Sequence, residues 1–148
     1  MIDKSRKIAI GSDHAGYELK EFLKTKLLTF GYSFEDFGTN SNESVDYPDV
    51  IHPLANAIDK GYFECAVIMC GSGNGVSMVA NKYQNVRAAL CWNEETARLA
   101  RQHNNANIMA LPARLIEREY ACALLRIFLE TNYEGGRHER RVQKIPRP

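Results

Sequence analysis

The stretch from Cys65 to Gly75 is the part of the chain best suited to chemistry. An apolar run ends in Cys70 and passes directly into residues 71–75 (Gly-Ser-Gly-Asn-Gly), a glycine loop that opens a helix-like segment. Such a loop can turn several backbone N–H groups toward one oxyanion. The same N–H dipoles would favour the thiolate form of a cysteine at the start of the loop. We therefore expect chemistry at Cys70.

A purely structural role for Cys70 is equally open from these residues, because free cysteine is commonly a small core residue at a strand end. The glycine run also fits an ordinary strand-to-helix turn. It matches neither the Walker loop, which needs Gly-Lys-Ser/Thr, nor the G-x-G-x-x-G dinucleotide pattern, since Gly75 comes one residue early. The pattern favours an anion smaller than a nucleotide.

Three further groups of polar residues are candidates. Asp13 and His14 follow the first apolar run, where Asp13 could equally be a helix N-cap beside an exposed histidine. His103 falls at a predicted helix end, where an imidazolium is favoured for structural reasons alone. Arg137 and Arg141 would share one face of a helical tail and suit a phosphate dianion, although a basic tail is more often a solvated surface run.

Composition limits the class of protein. The 148 residues include 19 basic and 18 acidic side chains, a balance that argues against broad nucleic-acid binding. The four cysteines form no C-x-x-C pair, and we expect them to be reduced. The sequence shows neither a signal-peptide pattern nor an apolar stretch of membrane-spanning length. We expect a cytoplasmic protein without membrane or nucleic-acid partners, and a single domain over 1–148 whose tail, 133–148, differs in character.

The elements that must position these residues alternate between strand and helix. Short apolar runs predict strands near 7–10, 32–36, 66–69, 88–90 and 108–111. Helix-length segments lie at 17–28, 48–60, 76–81, 93–104 and 116–131. One apolar face of the first helix comprises Leu19, Phe22, Leu23 and Leu27, and the last helix carries Ile116, Tyr120, Ala123 and Ile127 at helical spacing. This alternation predicts a doubly wound α/β protein with a parallel sheet.

Ligands of such sheets bind at the carboxyl ends of the strands. Three polar clusters follow predicted strands: residues 11–16, the glycine loop, and residues 91–93. We expect that they line one crevice.

Six motifs, in order along nearly the whole chain, carry a resemblance to a known family. They are residues 8–16 (IAIGSDHAG), 46–48 (DYP), 70–73 (CGSG), 80–82 (ANK), 101–104 (RQHN) and 133–138 (YEGGRH). With these motifs the chain resembles the RpiB/LacAB family of sugar-phosphate isomerases, and within it the B-type ribose-5-phosphate isomerases. The resemblance implies a three-layer α/β/α sandwich with a five-stranded, Rossmann-like parallel sheet.

The resemblance also implies the reaction. It is the reversible conversion of ribose 5-phosphate into ribulose 5-phosphate through a cis-enediolate, without metal or other cofactor. The implied base is Cys70, supported by the hydroxyl of Ser72, and the backbone of the loop would hold the developing oxyanion. The family pattern assigns opening of the sugar ring to His103, with Asp13 nearby.

The remaining implied contacts bind substrate. The phosphate would be held by His14, Arg137 and Arg141, with Arg114 and His138 as weaker candidates. Sugar hydroxyls would contact Tyr47 and Asn104, and the loop residues Gly71, Gly73, Asn74 and Gly75 complete the set. The family builds each site from two subunits, which implies a homodimer or a dimer of dimers.

Two departures from the family pattern concern the glycine loop. Many relatives carry threonine where this chain has Ser72, a change that keeps the hydroxyl. One branch replaces the cysteine by a glutamate just after the loop, whereas this chain has Cys70 and Val76, so we expect the thiolate mechanism. Two other functions stay open: isomerisation of allose 6-phosphate or galactose 6-phosphate, and a non-catalytic sugar-phosphate sensor.

Overall fold

The computed structural model describes residues 1–147. Its strands are β1 (Ile8–Ser12), β2 (Phe34–Asp36), β3 (Ala66–Cys70), β4 (Ala88–Leu90) and β5 (Ile108–Pro112). Its helices are α1 (Tyr17–Thr29), α2 (Tyr47–Asp59), α3 (Asn74–Ala80), α4 (Glu94–Gln102), α5 (Arg118–Glu130) and the short α6 (Glu139–Val142). Among these residues no helix is both long enough and apolar enough to cross a membrane.

The five strands form one sheet in the order β2-β1-β3-β5-β4, and every neighbouring pair is parallel. The expected five-stranded parallel sheet is confirmed. Because β1 and β3 are neighbours while the chain runs outward from each toward opposite edges, their carboxyl ends form the switch point where ligands of such sheets bind.

The sheet lies between two helical layers, so the expected three-layer sandwich is confirmed. Apolar side chains of α1, α4 and α5 pack on one face, including Leu23 and Leu124, whereas α2 and α3 cover the other with Ile51 and Val76. Successive residues of β3 point to opposite layers. Met69 belongs to the core under α1 and α5, and Cys70 belongs to the core under α2 and α3.

The predicted face of the last helix is wrong, whereas that of the first is right. Leu19, Leu23 and Leu27 are buried as expected. In α5 the fully buried residues are Ala121, Leu124, Leu125, Phe128 and Leu129. Ile116 precedes that helix and Tyr120 is exposed. The prediction failed because apolar residues occur on nearly every side of α5, so their spacing alone does not identify the buried face.

A cluster of charges joins α1 to the end of β2. The ammonium group of Lys20 is fully buried and contacts the carboxylates of Asp36 and Glu21, and Lys24 contacts the same two carboxylates. Burial alone would raise the pKa of Asp36, but hydrogen bonds from Lys20, Lys24 and the Gly38 N–H together lower it. Ser12 N–H in turn donates to Gly38 O at 2.8 Å, which connects this cluster to the end of β1.

Candidate active site

A cavity of about 520 Å³ opens at the carboxyl ends of β1 and β3, the switch point of the sheet. It is lined by Asp13, His14, Ala15, Tyr47, Cys70, Gly71, Ser72, Gly75, Arg114 and Leu115. Two of the three polar clusters therefore share one crevice. In the third cluster, residues 91–93, Trp92 lines an adjoining cavity together with Ser72 and Asn74. The expectation that all three clusters line one crevice is therefore confirmed only in part.

Cys70 is both a core residue and a cavity residue. It is the last residue of β3, it is only 5% exposed, and its side chain packs with the apolar cluster under α2 and α3 while lining the cavity. The Gly73 N–H donates to its Sγ at 3.2 Å. The sulfur therefore has a backbone hydrogen-bond donor at the wall of the cavity.

The glycine loop needs glycine at two positions for different reasons. Gly73 has φ +76°, and an added Cβ would lie 2.4 Å from Leu90 Cδ1 and 3.1 Å from the Leu111 carbonyl carbon. An added Cβ at Gly75 would lie 2.8 Å from the Tyr47 ring. The loop thus curls back toward Cys70 and lets Tyr47 approach closely.

Two backbone donors of the loop remain available to a ligand. The carbonyls of Cys70 and Gly71 accept hydrogen bonds from Ala113 and Arg114 at 2.9 and 3.0 Å, which fixes the loop against the end of β5. Within residues 1–147 the N–H groups of Gly71 and Ser72 have no acceptor. Such donors can bind the oxygen of a reacting carbonyl.

Asp13 and His14 reach the cavity from the end of β1. Asp13 N–H donates to Met69 O at 3.3 Å, beside Cys70, and its carboxylate accepts from Gly16 N–H at 3.1 Å, capping the 3₁₀ turn His14–Gly16. The N-cap interpretation of Asp13 is therefore correct, and the residue also lines the cavity. His14 Nδ1 accepts from Val45 N–H at 3.3 Å, so its Nε2–H remains free to donate.

Arg114 supplies a positive charge to this cavity. Its side chain crosses Gly71, where an added Cβ would lie 3.2 Å from Arg114 Cδ. Together with His14 it gives the cavity a donor pair suited to a phosphate.

The other predicted site residues lie on a different part of the chain. His103 caps the end of α4, Arg137 and His138 lie in a 3₁₀ turn (Gly136–His138), and Arg141 lies in α6. None of these four lines the Cys70 cavity. Asn104 lines a separate cavity of about 370 Å³ with Arg87 and Ile145.

His103 is packed against the tail. Its ring stacks on that of His138 with centroids 4.1 Å apart and planes 13° apart. Its Nε2 lies 3.9 Å from Glu134 Oε2, and His138 Nε2 lies 3.6 Å from the same oxygen. Burial, followed by the nearby His103 and Arg137, lowers the pKa of His138.

The donor types of this trio would suit a metal ion, since the ligand atoms of His103, Glu134 and His138 lie within 4.8 Å of one another. The stacking keeps the lone pairs of the two rings in separate, nearly parallel planes, so they do not converge on one ion. The cationic side chain of Arg137 also contacts His138 Nε2, at 3.4 Å. The arrangement therefore fits charge pairing better than metal ligation.

Sequence reasoning missed Glu134 and the cavity residue Leu115. Glu134 had a usable signal, because it lies in the YEGGRH motif four residues before His138. Leu115 carries no chemistry that a pattern could have indicated; only the fold places it at the cavity.

Comparisons with known proteins agree with this geometry. Residues 8–145 match the model of a family described as Ribose/Galactose Isomerase. The chain is 39% identical over 140 residues to ribose-5-phosphate isomerase B of Escherichia coli strain K12, covering 95% of this chain and 94% of that protein. It is also similar to the crystal structure of a ribose 5-phosphate isomerase from Thermotoga maritima, with a TM-score of 0.92, 51% identity and coverage of 95% and 97%.

A third relative was solved with a ligand. The ribose-5-phosphate isomerase B of Mycoplasma genitalium, with bound ribulose 5-phosphate, matches with a TM-score of 0.92 and 40% identity, covering 97% of this chain and 95% of that one.

Proposed function

The chain belongs to the ribose/galactose isomerase family, and we propose that it interconverts ribose 5-phosphate and ribulose 5-phosphate through a cis-enediolate, with Cys70 as the base. It is an aldose-ketose isomerase. The observation that carries the assignment of the base is the Cys70 sulfur, which accepts the Gly73 N–H and lines the same cavity as Asp13, His14 and Arg114.

The chemical step moves one proton from carbon to carbon. With the sugar ring open, the Cys70 thiolate takes the proton from C2, the C1=C2 double bond forms, and the aldehyde oxygen becomes negative. The sulfur then returns the proton to C1 while the C2 hydroxyl proton passes to O1, giving the ketose. Ser72, a hydroxyl that lines the cavity, is placed to donate and accept during this exchange.

The oxyanion is held by groups that are already in place. The free N–H groups of Gly71 and Ser72 would bind O1 in the enediolate without rearrangement of the loop. Donors of this kind typically contribute about 3 kcal/mol to transition-state stabilisation. Val76 supports the thiolate mechanism over the glutamate mechanism of the related branch, because an apolar, fully buried residue follows the loop here.

One subunit provides only part of the substrate contacts. His14 and Arg114 would bind the phosphate, and Tyr47 with the loop residues Gly73, Asn74 and Gly75 would shape the sugar pocket. We assign ring opening to His103 of a second subunit, assisted by Asp13. The same neighbour would contribute Asn104, Arg137, His138 and Arg141, so the tail at residues 133–148 completes a site on another copy.

Support for the shared site comes from the division of the residues within one chain. The base and two of the five candidate phosphate ligands line the Cys70 cavity, whereas His103 and the tail arginines do not. A homodimer, or a dimer of dimers, brings the two parts together. The four free thiols support a reducing compartment, and we place the enzyme in the cytoplasm.

A mixing experiment tests the shared site. Cys70→Ala and His103→Asn chains should each be inactive as homodimers. When the two chains exchange freely, half of the dimers are mixed and each mixed dimer has one intact site, so activity should recover to about a quarter of the wild-type value. Absence of recovery, with mixed dimers demonstrated by native mass spectrometry, would place the whole site on one chain and refute this arrangement.

A second assay tests substrate and metal dependence. Initial rates with ribose 5-phosphate and allose 6-phosphate should be compared at equal concentrations with and without a metal chelator. We expect kcat/KM to be at least about tenfold higher for the five-carbon sugar, and no effect of the chelator. Preference for the six-carbon sugar, or loss of activity with the chelator, would contradict the proposal.

A further inference from the structure

Glu134 is held next to His103 by the backbone of the tail. Its N–H donates to the carbonyl of Gln102, the residue before His103, at 3.1 Å. Its carboxylate therefore lies beside the end of α4, with Oε2 3.9 Å from His103 Nε2. The carboxylate is half-exposed, and the charges of Arg137 and Arg141 act on the adjoining ring of His138.

The hydrogen bonds of the two neighbouring histidines identify His103 as the partner of this carboxylate. His138 Nε2 also faces Glu134, but it accepts the Nε–H of Arg137 at 3.4 Å. An imidazole nitrogen that accepts carries no proton and cannot donate to a carboxylate. Among the residues that the structure describes, His103 is the remaining imidazole within ion-pair distance of Glu134.

A carboxylate at Nε2 determines where His103 keeps its proton. It favours the tautomer with a proton on Nε2 and leaves Nδ1 as the free basic nitrogen. The stacked ring of His138 restricts the plane of the imidazole at the same time. The 3.9 Å separation exceeds a direct hydrogen bond, and such pairs commonly tighten when substrate binds.

We propose that Glu134 is a positioning residue for ring opening: it orients His103 and fixes its tautomer, while His138 braces the ring by stacking. The inference rests on the proposed role of His103 in opening the sugar ring. All three side chains belong to one chain, so they would enter the partner's site as a unit.

The two directions of the reaction separate this role from the carbon chemistry. Ribulose 5-phosphate is an open chain, because its C5 oxygen carries the phosphate and no hydroxyl is placed to close a five-membered ring on C2. Exchange of its C1 proton with D₂O therefore requires the Cys70 step but not ring opening. Conversion of cyclic ribose 5-phosphate requires both steps.

The test compares Glu134→Gln with wild type in both assays, using the full-length chain. We expect kcat for ribose 5-phosphate to fall about tenfold, with KM and the C1 exchange rate each within about twofold of wild type. Glu134→Asp, which keeps the charge, should recover part of the loss. Glu139→Gln, on the same tail but outside the trio, should match wild type in each measurement.

A merely structural role for Glu134 gives a different pattern. If the residue only anchors the tail, one of two results is expected: Gln replaces Glu without loss, because it also accepts hydrogen bonds, or KM rises, because the phosphate-binding arginines are displaced. Either result would overturn the inference. A His103→Asn control separates failure of the ring-opening assignment from failure of the role of Glu134. If His103→Asn converts ribose 5-phosphate normally, the proposed ring-opening step itself is wrong. If His103→Asn is impaired while Glu134→Gln is normal, only the role of Glu134 is rejected.

Discussion

The glycine loop after β3 and the tail after α5 both carry candidate functional residues, but they are held in different ways. The loop follows a fully buried strand and is hydrogen-bonded to the end of β5 through Ala113 and Arg114. The tail is largely exposed and is joined to α4 by one backbone hydrogen bond, from Glu134 to Gln102, and by the stacked rings. The loop is therefore fixed by the strands on which it is built, whereas the tail has few contacts with the rest of the described chain.

This difference matches the demands of the two proposed tasks, proton abstraction at the loop and phosphate binding by the tail. Proton abstraction needs the base and the oxyanion donors within a fraction of an ångström of their working positions, which a strand end provides. Phosphate binding tolerates adjustment, because charged guanidinium groups on long side chains can follow the ligand. The following predictions test that contrast, beginning with the largest expected effect.

Cys70→Ala should produce the greatest loss of activity. Removal of the base should lower kcat for ribose 5-phosphate by about 10³-fold and should equally abolish C1 exchange in ribulose 5-phosphate. Binding of ribulose 5-phosphate, measured by calorimetry, should change little. Cys122→Ala, a thiol on α5 far from the loop in sequence and absent from the cavity lining, is the control and should behave as wild type. Retained exchange in Cys70→Ala would show that another group is the base.

Asp36→Asn tests whether the charged cluster between α1 and the end of β2 stabilises the fold. The change replaces one of the two carboxylates that contact the buried ammonium of Lys20 by a neutral amide. It should lower the free energy of unfolding by about 3 kcal/mol. The pKa of Asp36 is lowered in the folded chain, so its contribution is present above about pH 4 and is lost as pH falls through the folded-state pKa.

Urea unfolding at several pH values measures this contribution. Wild type should lose stability as the pH falls below about 4, and Asp36→Asn should lose less over the same range. Glu35→Gln, whose carboxylate makes only an exposed 3.9 Å pair with Lys7, should change stability by less than about 1 kcal/mol. Equal effects of the two variants would contradict a structural role for the buried cluster.

Arg137→Ala should affect substrate binding rather than the chemical step. Because phosphate is bound in the ground state and the transition state alike, KM should rise about tenfold with kcat within about threefold of wild type. Thermal unfolding should not change, since the side chain is exposed. Arg140→Ala removes a neighbouring tail cation and should leave KM unchanged. A fall in kcat alone would argue that Arg137 acts on the reacting carbons.

A comparison of Gly73→Ala with Gly61→Ala separates the cost of backbone strain in stability from the effect of loop geometry on activity. Both glycines have φ +76°, but an added Cβ at Gly61 meets nothing within 4 Å, whereas one at Gly73 meets Leu90 and Leu111. Each substitution should cost about 1–2 kcal/mol of stability, and the Gly73 variant somewhat more. Only Gly73→Ala should also lose activity, because the N–H that contacts Cys70 would move. Equal kinetics for both variants would show that loop geometry does not matter.

The sequence predicted the rigid region better than the exposed one. The apolar run before Cys70 specifies a buried strand, and alternation of strands and helices specifies a parallel sheet, so the polar residues at the ends of β1 and β3 had to be neighbours. Which face of α5 would be buried was not predictable from spacing, because most of its positions are apolar. The placement of His103 in the site came only from the family resemblance, and that of Arg137 from the resemblance together with its spacing from Arg141; both stay predictions.

The alternation of β3 has a consequence for which changes the chain tolerates. Cys70 faces the α2 and α3 layer because it stands an even number of residues from Ile68, which faces the same way. Deleting one residue from the strand would rotate the thiol by half a turn, into the layer beneath α1 and α5, without altering any amino acid of the loop. The layer that the Cys70 side chain faces is thus determined by the number of residues in the strand. Apolar replacements within the strand should therefore be tolerated, whereas single-residue deletions should not.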